Sequence, residues 1–154
     1  MDTKPVLREV TRANLGDVIL LSDTLSEGQK KCVAPNAVSV AQGSLSPAGW
    51  FRAICLDDQV IGFVMVDLYP RGDFLQENRR AVYLWRFMIG RKWQRRGYGR
   101  QVMEQLVSYF TRRGITAIYT SVVLSEAENP LQFYRGFGFL DTGIDEEGER
   151  LLSW

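Results

Sequence analysis

Apolar positions along this chain fall into two patterns, short alternating or continuous runs and sets at helical spacing, and their order sketches a fold. "PVLREV" alternates as a first strand, and in "TRANLGDVILLSDTL" a Thr or Asn cap precedes Leu15, Val18, Ile19 and Leu21 at helical intervals. Between Ser26 and Pro47, "APN" reads as a turn and "AVSVAQGSL" as a short second helix that stops near Gly43. "WFRAICL" and "VIGFVMVDLY" flank the polar "DDQ", which predicts a hairpin, and "RGDFLQENRR" reads as a solvated loop. "AVYLWRFMI" predicts a further strand, and beyond Gly99 the residues Val102, Met103, Leu106, Val107 and Phe110 recur on one helix face. "ITAIYTSVV" is a strand, "NPLQFYRG" a short helix opened by Asn before Pro, and "FGFLDTG" and "RLLSW" closing strands.

This order predicts an α+β or mixed α/β architecture in which helices cover a largely antiparallel sheet. The crossover from Ala81 through Val122 is long enough to make its two strands parallel. At 154 residues the chain has room for one core, so residues 1–154 are read as a single domain. Apolar residues at 45% and charged residues at 24% fit a globular domain, and no apolar run reaches membrane-spanning length. The start "MDTKPVLREV" lacks the apolar stretch of a signal peptide, which makes a cytoplasmic location the expectation.

Charge changes the picture only locally. Nineteen Lys and Arg face 18 Asp and Glu, so the wide basic excess of a nucleic-acid binder is missing. Yet "RKWQRRGYGRQ", Arg91 to Gln101, gathers Arg91, Lys92, Arg95, Arg96 and Arg100 around Gly97 and Gly99, between a predicted strand and a predicted helix. In that setting unpaired main-chain N–H groups and the helix dipole converge on one point, an arrangement suited to phosphate. The P-loop is excluded because Arg100 and Gln101 stand where Lys and Ser or Thr belong, and the dinucleotide fingerprint is incomplete because Val102 replaces its third glycine. There is no His, and Cys32 and Cys55 lack CxxC spacing, which disfavours zinc sites, expects no metal, and leaves no imidazole for catalysis.

"FMIGRKWQRRGYGR" resembles the acetyl-CoA-binding motif of the GNAT acetyltransferases: Gln or Arg, two residues, Gly, one residue, then Gly or Ala, here Gln94, Arg95, Arg96, Gly97, Tyr98 and Gly99. "VIGFVMVDLYP" resembles that family's third strand, "YLWRFMI" its fourth, and "NPLQFYRGFGFLDTG" its final helix and strand. The resemblance implies a mixed, mostly antiparallel sheet of six to seven strands flanked by about four helices, with a splayed parallel pair at the cofactor site. It also implies acetyl-CoA as cofactor, its pyrophosphate held by amides from Gln94 to Arg100 and its pantetheine lying against Phe87, Met88 and Ile89. Tyr134, followed by Gly138 and Phe139, would stand beside the CoA sulfur and protonate the leaving thiolate. Asn129 caps the last helix and is a secondary candidate for the pantetheine, although its interval to Tyr134 is shorter than the family's usual one.

The fourth strand departs from the pattern. Some polyamine-acetylating relatives carry an acidic residue where this chain has Trp85, and Trp cannot accept a proton from the amine. Trp85 is then a core aromatic or a wall of the acceptor pocket, and Glu27, Asp67 and Glu126 are alternative carboxylates, with Glu27 taken as an acceptor-site candidate. Cys55, in an apolar strand, is expected to be inert, while Cys32 beside Lys30 and Lys31 is expected to be the more acidic thiol.

The resulting expectation is an acetyl-CoA-dependent N-acetyltransferase that transfers acetyl directly to a primary amine of a small molecule, a diamine or polyamine. The acidic tail Asp145 to Glu149 would help attract such a cation. An aminoglycoside acetyltransferase is the close alternative, with a protein N-acetyltransferase or a non-catalytic acyl-CoA sensor further off. No nucleic-acid or membrane partner is expected, and apolar strands near the C-terminus suggest a homodimer.

Overall fold

The structure, a computed structural model, describes residues 3–76 and 79–154. Seven strands form one sheet: β1 (Val6–Arg8), β2 (Gly49–Leu56), β3 (Gln59–Asp67), β4 (Ala81–Ile89), β5 (Ala117–Val122), β6 (Leu140–Glu146) and β7 (Glu149–Ser153). Their spatial order is β1-β2-β3-β4-β5-β7-β6, antiparallel throughout except for β4 beside β5. The predicted hairpin, crossover strand and closing strands all fall within a few residues of their expected places. Within the predicted loop before β4, Glu77 and Asn78 lie outside the described residues.

Five α-helices accompany the sheet rather than about four: α1 (Leu15–Leu21), α2 (Glu27–Lys30), α3 (Asn36–Leu45), α4 (Tyr98–Thr111) and α5 (Leu131–Phe137). The helix missed in the sequence is α2, a single turn whose apolar periodicity is too short to detect. It is fixed instead by a capping box, in which Ser26 Oγ accepts from the Gln29 N–H and Gln29 Oε1 accepts from the Ser26 N–H. The helix α4 is amphipathic and buries Val102, Met103, Leu106 and Phe110. Truncating Leu106, 2% exposed, to alanine is expected to cost about 2–5 kcal/mol, because the site sits between the helix and the sheet and has little freedom to collapse.

The sheet separates two cores. On one face Val64, Val66, Val82 and Leu84 meet α4 and α5; on the other Phe63, Met65 and Met88 meet α1 and the turn after it. In a regular strand β4 would keep the alternation of Val82 and Leu84, but beyond Trp85 the odd residues Phe87 and Ile89 take over the first face. The register shows why: Val66 pairs with Leu84 and Met65 with Arg86, so Trp85 is an extra, unmatched residue. A bulge of this kind bends the strand and reverses the facing of everything after it.

That bend opens the molecule. The parallel pairing of β4 with β5 covers only Ala81, Val82 and Tyr83 against Ala117, Ile118 and Tyr119. At the next step the Thr120 hydroxyl donates to the Leu84 carbonyl at 3.0 Å, replacing a ladder bond with a side chain. Beyond it the strands part, and the main chain of β4 from Trp85 to Ile89 borders a cleft.

Candidate active site

The cleft, with a volume of about 880 Å³, runs from the N-terminus of α4, through the gap between β4 and β5, to the end of β7. At the first end the chain leaves β4, makes one short turn over Arg91–Trp93 and enters α4 through Gly97, whose φ of 85° is in the left-handed region. Arg95 has a positive φ of 60° as well, so successive peptides there point in directions an extended chain would not allow. The first intrahelical bond is from Gln101 N–H to Gly97 O at 3.1 Å, leaving the amides of Tyr98, Gly99 and Arg100 with no carbonyl four residues back in their own helix. Together these amides form a concave donor surface at the positive end of a 14-residue helix.

The two glycines differ in their reasons. A Cβ on Gly97 would meet nothing nearer than Gln101 Nε2 at 4.0 Å, so its glycine serves the backbone angle. A Cβ on Gly99 would come within 3.2 Å of the Phe133 ring, so its glycine lets α5 approach α4. The five cations also divide, with Arg91 outside the cleft lining. Arg95 and Arg100 line the cleft, whereas Lys92 and Arg96 lie over the Trp93 ring at 4.7 and 5.8 Å. Arg100 is further held by Glu104 at 3.4 Å.

Gln94 is half-buried, and its side-chain amide is bonded on both sides. Its amide nitrogen donates to the Ile89 carbonyl at 2.8 Å and to Gln29 Oε1 at 3.2 Å, and its oxygen accepts from Gln29 Nε2 at 2.9 Å. The side chain therefore ties the end of β4 to α2, and α2 is tied in turn to the α5 side of the cleft by Ser26 Oγ donating to Glu128 Oε2 at 2.5 Å. Sequence alone could not reveal this brace, because its partners lie 65 and 102 residues apart.

In the middle of the cleft stand Phe87, Met88 and Ile89 from β4 and Tyr134 from α5. Tyr134 is 4% exposed, and burial pushes its phenol well above the ordinary value, partly offset by the Thr120 hydroxyl beside it. It is therefore a protonated donor across the neutral range. Asn129 is on the wall, with its oxygen accepting from Leu131 N–H at 3.0 Å and its nitrogen donating to the Glu126 carbonyl at 2.8 Å. The first is an Asx turn that leads into α5, whose N-cap position is Pro130 rather than Asn129.

At the far end Trp85, Tyr83, Ser121 and Glu149 line both the cleft and an adjoining cavity of about 560 Å³. That cavity also carries Asp67, Glu146 and Glu147, with Arg71 as the one cation among its described lining residues. Glu146 and Glu149 close the β6–β7 hairpin, whose turn residues Glu147 and Gly148 both have positive φ, at 50° and 83°. Asp145 is not part of this rim but pairs with Arg150 at 2.7 Å.

Some sequence candidates lie elsewhere. Glu27 is exposed on α2, pairs with Lys30 at 3.3 Å, and is absent from the cleft lining. Tyr98 and Arg96 belong to the α4 entrance but their side chains do not line the cleft. Cys32 does not become the acidic thiol expected of it: burial, with Glu126, Glu128 and Glu149 around it, pushes the thiol up. Burial likewise raises the Cys55 thiol, in keeping with an inert core residue.

Against known proteins, residues 24–139 match the sequence pattern of the Acetyltransferase (GNAT) family. The chain is 29% identical over 98 residues to the spermine/spermidine N(1)-acetyltransferase of Bacillus subtilis (strain 168), an alignment that covers 62% of this chain and 63% of that protein. The fold is similar to that of the PaiA N-acetyltransferase from Thermoplasma acidophilum, solved in complex with coenzyme A, at 13% identity and a TM-score of 0.70 over 97% of this chain and 98% of the other. It is similar also to the GNAT domain of S. lividans PAT, at 16% identity and a TM-score of 0.75 over 96% and 88%.

Proposed function

We propose that this chain, which belongs to the GNAT acetyltransferase family, is an acetyl-CoA-dependent N-acetyltransferase whose acceptor is the primary amine of a diamine or polyamine. The observation that carries the reading is the continuity of the cleft, which joins an anion cradle at α4 to a second cavity rimmed by Asp67, Glu146, Glu147 and Glu149.

The residues present fit the cofactor. A diphosphate is matched by the main-chain N–H groups from Arg95 to Arg100 and by the side chains of Arg95 and Arg100. The splayed edge of β4, over Phe87, Met88 and Ile89, suits the amide groups of a pantetheine arm in the manner of an added strand. When bound, the thioester supplies an activated acetyl group. Tyr134 would present its hydroxyl hydrogen to the sulfur. Because burial disfavours the phenolate, Tyr134 would act on the leaving sulfur chiefly as a hydrogen-bond donor rather than by lasting loss of its proton.

The acceptor reading rests on charge. Four carboxylates against a single arginine among the described residues favour a cation, and their spread along the cavity suits an acceptor with more than one ammonium group. The test is thiol release from acetyl-CoA with 1,4-diaminobutane, spermidine, spermine and an aminoglycoside. Release with the polyamines, suppressed by salt, is expected. Release with the aminoglycoside alone would overturn the polyamine assignment, and release with no amine would overturn the enzyme reading itself.

A further inference from the structure

An amine that attacks a thioester must be neutral at the moment of attack, yet a primary ammonium with a pKa of roughly 10 is about 0.1% neutral near pH 7. Some group in the cleft has to take that proton, and Trp85 has none to exchange. Glu27 is outside the cleft. Glu126 is outside it too, Asp67 borders only the second cavity, and Glu128 is engaged with Ser26 near the cofactor end. Among the described residues Glu149 is the one carboxylate that lines both spaces.

Glu149 is connected to the reacting region by two hydroxyls. Ser121 Oγ donates its single hydrogen to Glu149 Oε2 at 2.7 Å, since a carboxylate can only accept. The 2.5 Å contact between Tyr83 Oη and Ser121 Oγ must therefore be supplied with its hydrogen by the phenol. All hydrogens of the chain thus point toward Glu149, and the phenolic oxygen keeps a lone pair for a donor in the cleft. Tyr83 and Tyr134 both line the cleft.

We propose that Tyr83, Ser121 and Glu149 form the proton exit for the acceptor amine, a role that rests on the N-acetyltransferase reading above. The acceptor nitrogen gives its proton to Tyr83 Oη as the phenol hydrogen passes to Ser121 Oγ and the serine hydrogen to Glu149 Oε2. One N–H bond breaks, one carboxyl O–H bond forms, and both hydroxyls are regenerated. Glu149, half-buried at the mouth of the second cavity, then returns the proton to water. The strands explain the placement: Tyr83 is the last residue of β4 paired with β5, Ser121 lies just beyond the separation, and β7 brings Glu149 alongside. The charged groups facing Tyr83 are Arg86 on β4, Glu146 on β6 and Glu149 on β7, with Asp67, Arg71 and Glu147 around the adjoining cavity.

The test compares Glu149→Gln, which keeps an acceptor oxygen for Ser121, with wild type and Tyr83→Phe in acetyl transfer to 1,4-diaminobutane and to its 2,2-difluoro analogue, whose adjacent ammonium is much more acidic. For both variants kcat/KM for 1,4-diaminobutane at pH 7 is expected to fall about 10- to 100-fold, the span of a modest acid–base contribution. KM for acetyl-CoA and the melting temperature of Glu149→Gln should stay near wild type. With the difluoro amine, or at a pH near 10, the loss should shrink to a few-fold, because a large share of the nitrogen is then already neutral. An equal loss with both amines and at both pH values, or no loss at all, overturns the relay while leaving the enzyme reading intact. Absence of transfer by wild type to any amine overturns both.

Discussion

The two ends of the cleft are built from different material. At the end we assign to the cofactor the groups on offer are main-chain amides within one stretch of sequence, Arg95 to Arg100, and side chains such as Gln94 serve mainly to hold that main chain in place. At the end we assign to the acceptor they are side chains from β3, β4, β5, β6 and β7, brought together only by the sheet. Amides can bind a diphosphate whatever the neighbouring side chains are, so one end tolerates variation that does not bend the backbone. On the proposed function the other end is set by the identity of a few residues, and a single replacement there is expected to change what is accepted.

Where the two ends meet, the contrast can be broken outright. Tyr134→Phe removes the donor from the thiolate while keeping the ring packed against Phe133 and Phe139, and kcat should fall about 10²- to 10⁴-fold with little change in KM for acetyl-CoA. Full retained activity in a thiol-release assay would remove Tyr134 from the chemistry. Next in size is the backbone itself. Gly97→Ala forces an alanine into the left-handed region, which costs about 1–2 kcal/mol, and should weaken CoA binding about 10-fold by calorimetry while leaving the acceptor preference untouched. Unchanged CoA affinity would show that the cradle does not depend on that bend.

Smaller effects sharpen the picture. Gln94→Ala loses its bonds to Ile89 and Gln29 and should raise KM for acetyl-CoA a few-fold, with kcat at saturation preserved, as steady-state kinetics would show. The smallest change is expected for Glu146→Gln with Glu147→Gln on the exposed hairpin: KM for spermidine should rise about two- to threefold at low salt and hardly at all at high salt. An equal effect on a monoamine would argue against a distal ammonium in the second cavity.

The two buried phenols make a separate statement about pH. Burial raises Tyr134 and Tyr83 above the ordinary phenol value, so their native states hold protons more tightly than the unfolded chain does. The associated stability is fully present below a pH of about 10 and is lost as the pH rises through the higher native values. Thermal melts between pH 9 and 11 should therefore fall less steeply for Tyr134→Phe than for wild type. Identical slopes would mean that the phenol is as well solvated folded as unfolded.

The sequence by itself determined most of the elements and the glycine bend at the head of α4. Strands, hairpin, crossover and the α4 face follow from local periodicity, and the glycine bend at the head of α4 is a local conformational need that a local sequence can state. Tertiary structure alone decided the rest. The extra residue at Trp85 depends on its partner strand, and the Gln29–Gln94 brace and the Tyr83–Ser121–Glu149 chain join residues 65, 38 and 28 positions apart. A hydrogen bond of that kind leaves no period and no composition bias in a single chain, because its two partners become neighbours only after the sheet has closed around them.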